Sequence, residues 1–223
     1  MVSFIVLDNK KEVARFVSEI ILKQVTKKQS SILGLATGKT MIPIYKKLTK
    51  INFSKTKTFN LDEYLNSNKL RSFMNKYLFN KINIKKENIF FLDGKTNNPA
   101  KECEQYEKQI KKNKIDLQIL GIGRNTHIGF NEPGSKFNSK TRKVKLTEQT
   151  RKDNPNSEPY ALTMGIKTIL QAKKIILIAT GKHKARAVKQ TIESKPSIEI
   201  PATALQKHKN TIFILDKAAA SKI

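Results

Sequence analysis

The chain has 223 residues, 38% of them hydrophobic, and that length buries a sizeable core within one domain, while its lone Cys103 excludes an internal disulfide framework or a cysteine-cluster metal site. The net charge of +26 would suit a polyanion, but only six of the 44 basic residues are Arg, the residue that bidentate phosphate and guanine contacts favour; a Lys-rich solvated surface is the plainer reading, and no specific nucleic-acid partner is expected. Apolar runs such as 31–36 and 174–180 fall far short of the roughly 20 residues that cross a bilayer, and the N-terminus turns polar too early for a secretory leader, so no membrane association and a soluble cytoplasmic protein are expected.

A strand is expected at 2–7, followed by a helix at 12–24, where Val13, Phe16, Val17, Ile20 and Ile21 recur at helical spacing. Strands at 31–36 and 56–61, a helix at 70–82, a strand at 89–92, a helix at 101–112 and a strand at 116–121 continue the alternation. The segment 128–159 is poor in apolar periodicity and reads as a long irregular excursion, a candidate lid over the site. Strands at 174–180 and 211–215 flank a last helix at 183–192. No repeat or linker divides the chain, so residues 1–223 are read as a single α/β domain with an open, mostly parallel Rossmann-like sheet and helices on both faces.

In such a sheet ligands bind outside the carboxyl ends of the strands, so the residues that follow each strand carry the functional information. After the second strand, Thr37-Gly38-Lys39-Thr40 can turn backbone N–H groups and a helix N-terminus toward a phosphate. The Walker pattern is not met, because position 33 is Leu where that pattern needs Gly, and an ordinary strand-to-helix turn remains the alternative. After the third strand, Asp62-Glu63 offers carboxylates in a partly desolvated place suited to acid/base work, although acidic pairs are also common turn residues.

The run GIGRNTHIGFNEPGS places His127 in a glycine-rich strand exit, with Glu132 five residues on. A carboxylate partner fixes an imidazole's tautomer and supports its protonated form, which makes the two a usable acid/base pair. Lys184, just after Thr180-Gly181, adds a point charge at the same end of the sheet, a reading that any of many lysines would invite.

The segments LGLATGKT, TFNLDEY, LGIGRNTHIGFNEPGS, ALTMGIKTIL and TGKHKARAV resemble, in order and spacing, the motifs of the glucosamine-6-phosphate deaminase family, from about Leu33 to the C-terminus. The resemblance implies conversion of glucosamine 6-phosphate and water to fructose 6-phosphate and ammonia, classed here as a hydrolase reaction, by proton shuttling with no metal or organic cofactor. Carried over by motif, Asp62 moves the proton between C2 and C1, while His127, supported by Asn125 and Glu132, opens the pyranose ring. Phosphate contacts fall to Thr37, Gly38, Lys39, Thr40 and Lys184. An Asn at position 125 resembles the short, non-allosteric branch, which implies a monomer or small homo-oligomer.

Several positions depart from the pattern. Lys39 stands where the family loop has its second glycine, either clashing with close backbone approach or supplying an extra cation. Thr126 replaces the glycine before the histidine, the region after Tyr64 is short, and the lid at 149–159 is short as well. That lid usually brings an arginine to the phosphate; the matching residue is Asn156, so Arg151 compensates or phosphate affinity falls. The competing readings are a lactonase-like enzyme on a related sugar phosphate and a non-catalytic polyanion-binding protein.

Overall fold

The computed structural model describes residues 3–49, 51–155 and 157–223. The chain runs β1 (Ser3–Leu7), α1 (Lys10–Lys27), β2 (Ile32–Leu35), α2 (Ile42–Tyr45), β3 (Lys57–Asn60), β4 (Asp62–Tyr64), α3 (Lys69–Tyr77), β5 (Ile89–Phe90) and α4 (Pro99–Lys112). It continues through β6 (Leu117–Gly121), β7 (Arg142–Lys145), α5 (Glu148–Asp153), β8 (Tyr160–Thr163), α6 (Ile166–Ile169), β9 (Ile175–Ala179), α7 (Ala185–Glu193) and β10 (Thr211–Asp216). Short 3-10 turns fill several joints, among them Lys182–Lys184 before α7.

Seven strands form a parallel sheet in the order β1-β10-β9-β6-β2-β3-β5. From β2 the chain moves outward through β3 and β5, then returns to the opposite side of β2 as β6. The strand order therefore reverses between β2 and β6, which opens a crevice at their carboxyl ends. The central strands are apolar and buried along their length, as a sheet covered on both faces demands; β9 is Ile-Ile-Leu-Ile-Ala with every residue buried.

Local chemistry starts the helices. Asn9 caps α1 by accepting from the Lys11 and Glu12 amides, and Val13, Val17, Ile21 and Val25 form the buried stripe of that helix. Asn98 caps α4, Pro99 occupies its first turn, and Cys103, Tyr106 and Ile110 face the core. Tyr106 packs edge-on against Phe59, whose ring stacks on Phe90 at 4.5 Å, and its hydroxyl donates to the Asn60 carbonyl at 2.7 Å.

All seven strands of this sheet were expected, with ends differing by one or two residues; Val2, placed at the head of the first, lies outside the described residues. A second sheet was not expected. β4, β8 and β7 pair antiparallel, Asp62 facing Thr163 and Arg142 facing the same threonine from the other side. This sheet grows directly from the carboxyl end of β3, with only Leu61 between β3 and β4. Leu61 ties the two sheets, donating to the Leu35 carbonyl and accepting from the Met164 amide. Tyr64, Phe130, Leu146 and Ala161 form a small apolar cluster of their own. The excursion 128–159 is thus not irregular throughout, since it holds β7 and α5. β7 reads Arg-Lys-Val-Lys and α5 Glu-Gln-Thr-Arg-Lys-Asp, so neither carries the apolar periodicity that would mark it.

Candidate active site

Four adjacent strands, β9, β6, β2 and β3, deliver the expected residues to one end of the sheet. Asp62 begins β4 just beyond β3 and is buried at 6% exposure. Burial pushes its carboxyl up to about 8, and the Glu63 charge adds to the shift. No hydrogen bond to the carboxylate is found among the described residues. Gly129 lies so close that a β-carbon there would stand 3.6 Å from Asp62 Oδ2 and 3.0 Å from Thr163 Oγ1. With φ +56 at that glycine, the loop after β6 passes directly against the acid.

Glu63 does something else. Successive strand residues point to opposite faces, so its carboxylate turns away from Asp62 and accepts from the amides of Tyr64, Leu70 and Arg71 at 2.8–3.0 Å, anchoring the start of α3. The acidic pair seen in the sequence splits into one poised acid and one structural anchor.

After β6 the chain makes a tight turn, in which Thr126 donates to the Gly123 carbonyl and Gly123 to that of His127. The imidazole lies flat over Gly123, where a β-carbon would meet His127 Cε1 and Nδ1 at 2.3 Å. His127 Nδ1 stands 2.7 Å from Asn125 Oδ1, 3.2 Å from Thr150 Oγ1 and 3.5 Å from Glu132 Oε2. Asn125 Nδ2 donates to Glu132 Oε2 at 2.6 Å, which fixes the amide with its oxygen toward the histidine, because a carboxylate only accepts. Facing these acceptors, Nδ1 carries the ring proton and Nε2 is left as the acid/base nitrogen. Burial pushes Glu132 up, but the His127, Thr150 and Asn125 hydrogen bonds outweigh it and hold the carboxyl at about 2. The result is an ionised Glu132 joined to His127 through an amide bridge. An open cavity of about 460 Å³, lined by Glu132, Ser135, Arg142 and Lys145 among others, abuts the carboxylate end of this relay.

In the loop after β2, which neighbours β3, Thr37 and Thr40 are half-buried and Gly38 and Lys39 exposed. Gly38 has φ +124, a conformation that requires glycine. The helix behind the loop, α2, is one turn long, too short to focus a large dipole on a phosphate, so the loop's own amides and hydroxyls remain as its donors. Tyr45 on α2 donates its hydroxyl to the Ala36 carbonyl at 2.5 Å and pins the loop's origin. Lys184 closes the 3-10 turn after β9. Burial lowers its pKa, Asp153 opposes that shift, and Arg124 reinforces it.

From the lid, Thr150 and Asp153 of α5 reach the site; Arg151 is exposed, and Asn156 lies outside the described residues. Sequence reading passed over Thr150, Gly129 and Thr163. Their signal was positional only: Gly129 and Thr163 sit inside the quoted motifs, whereas Thr150 belongs to a segment without pattern.

A model of the family described as glucosamine-6-phosphate isomerases/6-phosphogluconolactonase matches residues 8–214. The chain belongs to this family. Curated members include a glucosamine-6-phosphate deaminase of Shewanella woodyi, 44% identical over 98% of this chain and 90% of that protein. Another is that of Clostridium botulinum (strain Eklund 17B), 46% identical over 97% of this chain and 95% of its own length. Among solved structures, one described as a monomeric glucosamine-6-phosphate deaminase superposes with a TM-score of 0.96 at 36% identity, covering 99% of this chain and all of that one. A 6-phosphogluconolactonase from Trypanosoma brucei superposes with a TM-score of 0.84 at 18% identity, a likeness of fold alone. The glucosamine-6-phosphate isomerase/6-phosphogluconolactonase fold, with its mostly parallel seven-stranded sheet, is the one expected from the sequence. Among the described residues no helix is long and apolar enough to cross a membrane.

Proposed function

We propose that this family member is a glucosamine-6-phosphate deaminase, and that its catalytic residues are Asp62 and His127, the latter tuned by Asn125 and Glu132. The observation that carries the reading is the convergence of a buried Asp62 carboxyl, without a hydrogen bond among the described residues, with a histidine relay on the loop packed against it. Relatives of that name at 44–46% identity over nearly the whole chain support the choice over a lactonase.

The chemistry follows from the two groups. His127 Nε2 takes the proton of the anomeric hydroxyl and returns it to the ring oxygen, opening the pyranose. Ionised Asp62 removes the C2 proton to give an enolamine and delivers a proton to C1, leaving an imine at C2. Water adds to that imine and ammonia departs, so the net reaction consumes one water and yields a ketose phosphate. The water enters after an isomerisation, which makes proton transfer at carbon, not bond hydrolysis, the step the site is built around. A substrate ammonium beside Asp62 draws the carboxyl toward its ionised form, so the base becomes competent when the amino sugar is bound. Thr37, Gly38, Lys39, Thr40 and Lys184 hold the phosphate, and the protein works as a cytoplasmic monomer or small oligomer.

The test is incubation of the purified protein with glucosamine 6-phosphate while ammonia and fructose 6-phosphate are measured together, Asp62→Asn serving as control. Equimolar release of both, lost in the variant, is expected. Absence of turnover at millimolar substrate, or full turnover in Asp62→Asn, would overturn the reading.

A further inference from the structure

Strands β6 and β9 are neighbours, with Gly121 paired to Ile178, so the turns that follow them lie side by side. Arg124 stands on the first turn and Lys184 on the second. Arg124 Nε meets Asp153 Oδ1 at 3.7 Å, an ion pair too long for a hydrogen bond, and the guanidinium remains about half exposed. Lys184 makes no ion pair among the described residues. His183, beside it, feels the charges of Lys184, Arg124, Asp153 and Asp216. Asp216 is already committed: its oxygens accept from the amides of Gly181 and Ala219 at 2.7–3.0 Å. The carboxylate that Arg124 meets comes from the last residue of α5, accepts one hydrogen bond from Gln149 Nε2 at 3.1 Å, and its charge also acts on Lys184. Three residues earlier on the same face, Thr150 contacts His127 Nδ1, so α5 spans the acid/base centre and the cation pair.

We propose that Arg124 is a phosphate-binding residue acting with Lys184, and that Asp153 is the counter-ion which the substrate's phosphate displaces. A phosphate dianion offers a guanidinium two oxygens and a bidentate geometry, where Asp153 supplies one long contact. The guanidinium thus does from the floor of the crevice what a lid arginine would do from above. Identification of the anion as the phosphate of an amino sugar rests on the deaminase reading; the anion site itself does not.

The experiment titrates inorganic phosphate calorimetrically into wild type, Arg124→Gln and Asp153→Asn, and measures KM and kcat for glucosamine 6-phosphate on the same three proteins, with circular dichroism confirming the fold. Loss of a charge-assisted contact predicts phosphate affinity about 10- to 100-fold weaker in Arg124→Gln, with KM raised by a similar factor and kcat within about threefold. Asp153→Asn, which frees Arg124 and removes a negative charge near Lys184, is expected to bind phosphate several-fold more tightly. Unchanged affinity and KM in Arg124→Gln would reduce the pair to a surface ion pair and overturn the proposal, and weaker binding in Asp153→Asn would overturn the counter-ion role. Should the protein bind phosphate through Arg124 yet release no ammonia, the deaminase reading fails and the anion site stands; normal turnover with a silent Arg124→Gln sinks the site alone.

Discussion

Replacing Asp62 by Asn isolates the energetic consequence of holding an acid in a dry place. Its carboxyl moves from 3.8 to about 8 on folding, chiefly through burial, so the folded state binds a proton more tightly than the unfolded chain. The sign is therefore opposite to that of a salt-bridged aspartate: wild-type stability falls as pH rises from near 4 to near 8 and levels off beyond. Integrated over that window, the penalty is about 2 kcal/mol at pH 5, about 4 at pH 7 and between 5 and 6 at pH 8.5. An amide does not titrate, and both side chains leave a buried polar group without a partner, so those costs largely cancel. Asp62→Asn should thus gain about 4 kcal/mol on wild type between pH 5 and pH 8.5. Urea denaturation of both proteins at several pH values measures this directly, because every other titrating group shifts the two curves together. Parallel curves would show that Asp62 is ionised in the resting protein and would refute the argument that the site stores a desolvated base.

The same poised acid predicts that kcat/KM rises with pH up to about 8 and then flattens; a profile flat from pH 6 to 9 would contradict it. Gly123→Ala drives a β-carbon into the His127 ring at 2.3 Å, so kcat should fall at least about 100-fold through loss of imidazole placement, measured beside a circular dichroism check of the fold. Position 126 holds a β-branched threonine at φ +68, and its buried hydroxyl has no hydrogen-bond partner among the described residues. Thr126→Gly relieves about 1–2 kcal/mol of strain against about 0.5–1 of added chain entropy, so a gain near 1 kcal/mol is expected by denaturant titration.

The parallel sheet was legible because most of its strands are apolar runs bounded by turn residues, and in β2, β6 and β9 burial on two faces writes itself into composition. The antiparallel sheet was not, for a physical reason. β4 is a three-residue continuation of β3, and β7 is almost wholly charged, so their stability comes from pairing with β8 and from Tyr64, Phe130, Leu146 and Ala161, contacts that span distant parts of the chain. Nothing local in 142–153 records that dependence.

The site shows the same division. Asp62, Asn125, His127 and Glu132 occupy motif positions at strand exits, where a crevice must form whatever the loops do. Thr150, Thr163 and Arg124 gain their meaning only from what the second sheet and α5 bring alongside. Glu63 is the instructive contrast, because strand alternation alone sends one acid to the crevice and its neighbour to the start of α3. Glu63 is fully buried as well, and α3 places two free amides where its carboxylate can accept from them. Burial raises the Glu63 carboxyl and the amides of Arg71, Leu70 and Tyr64 offset part of that rise, while the Glu63 charge adds to the upward shift of Asp62.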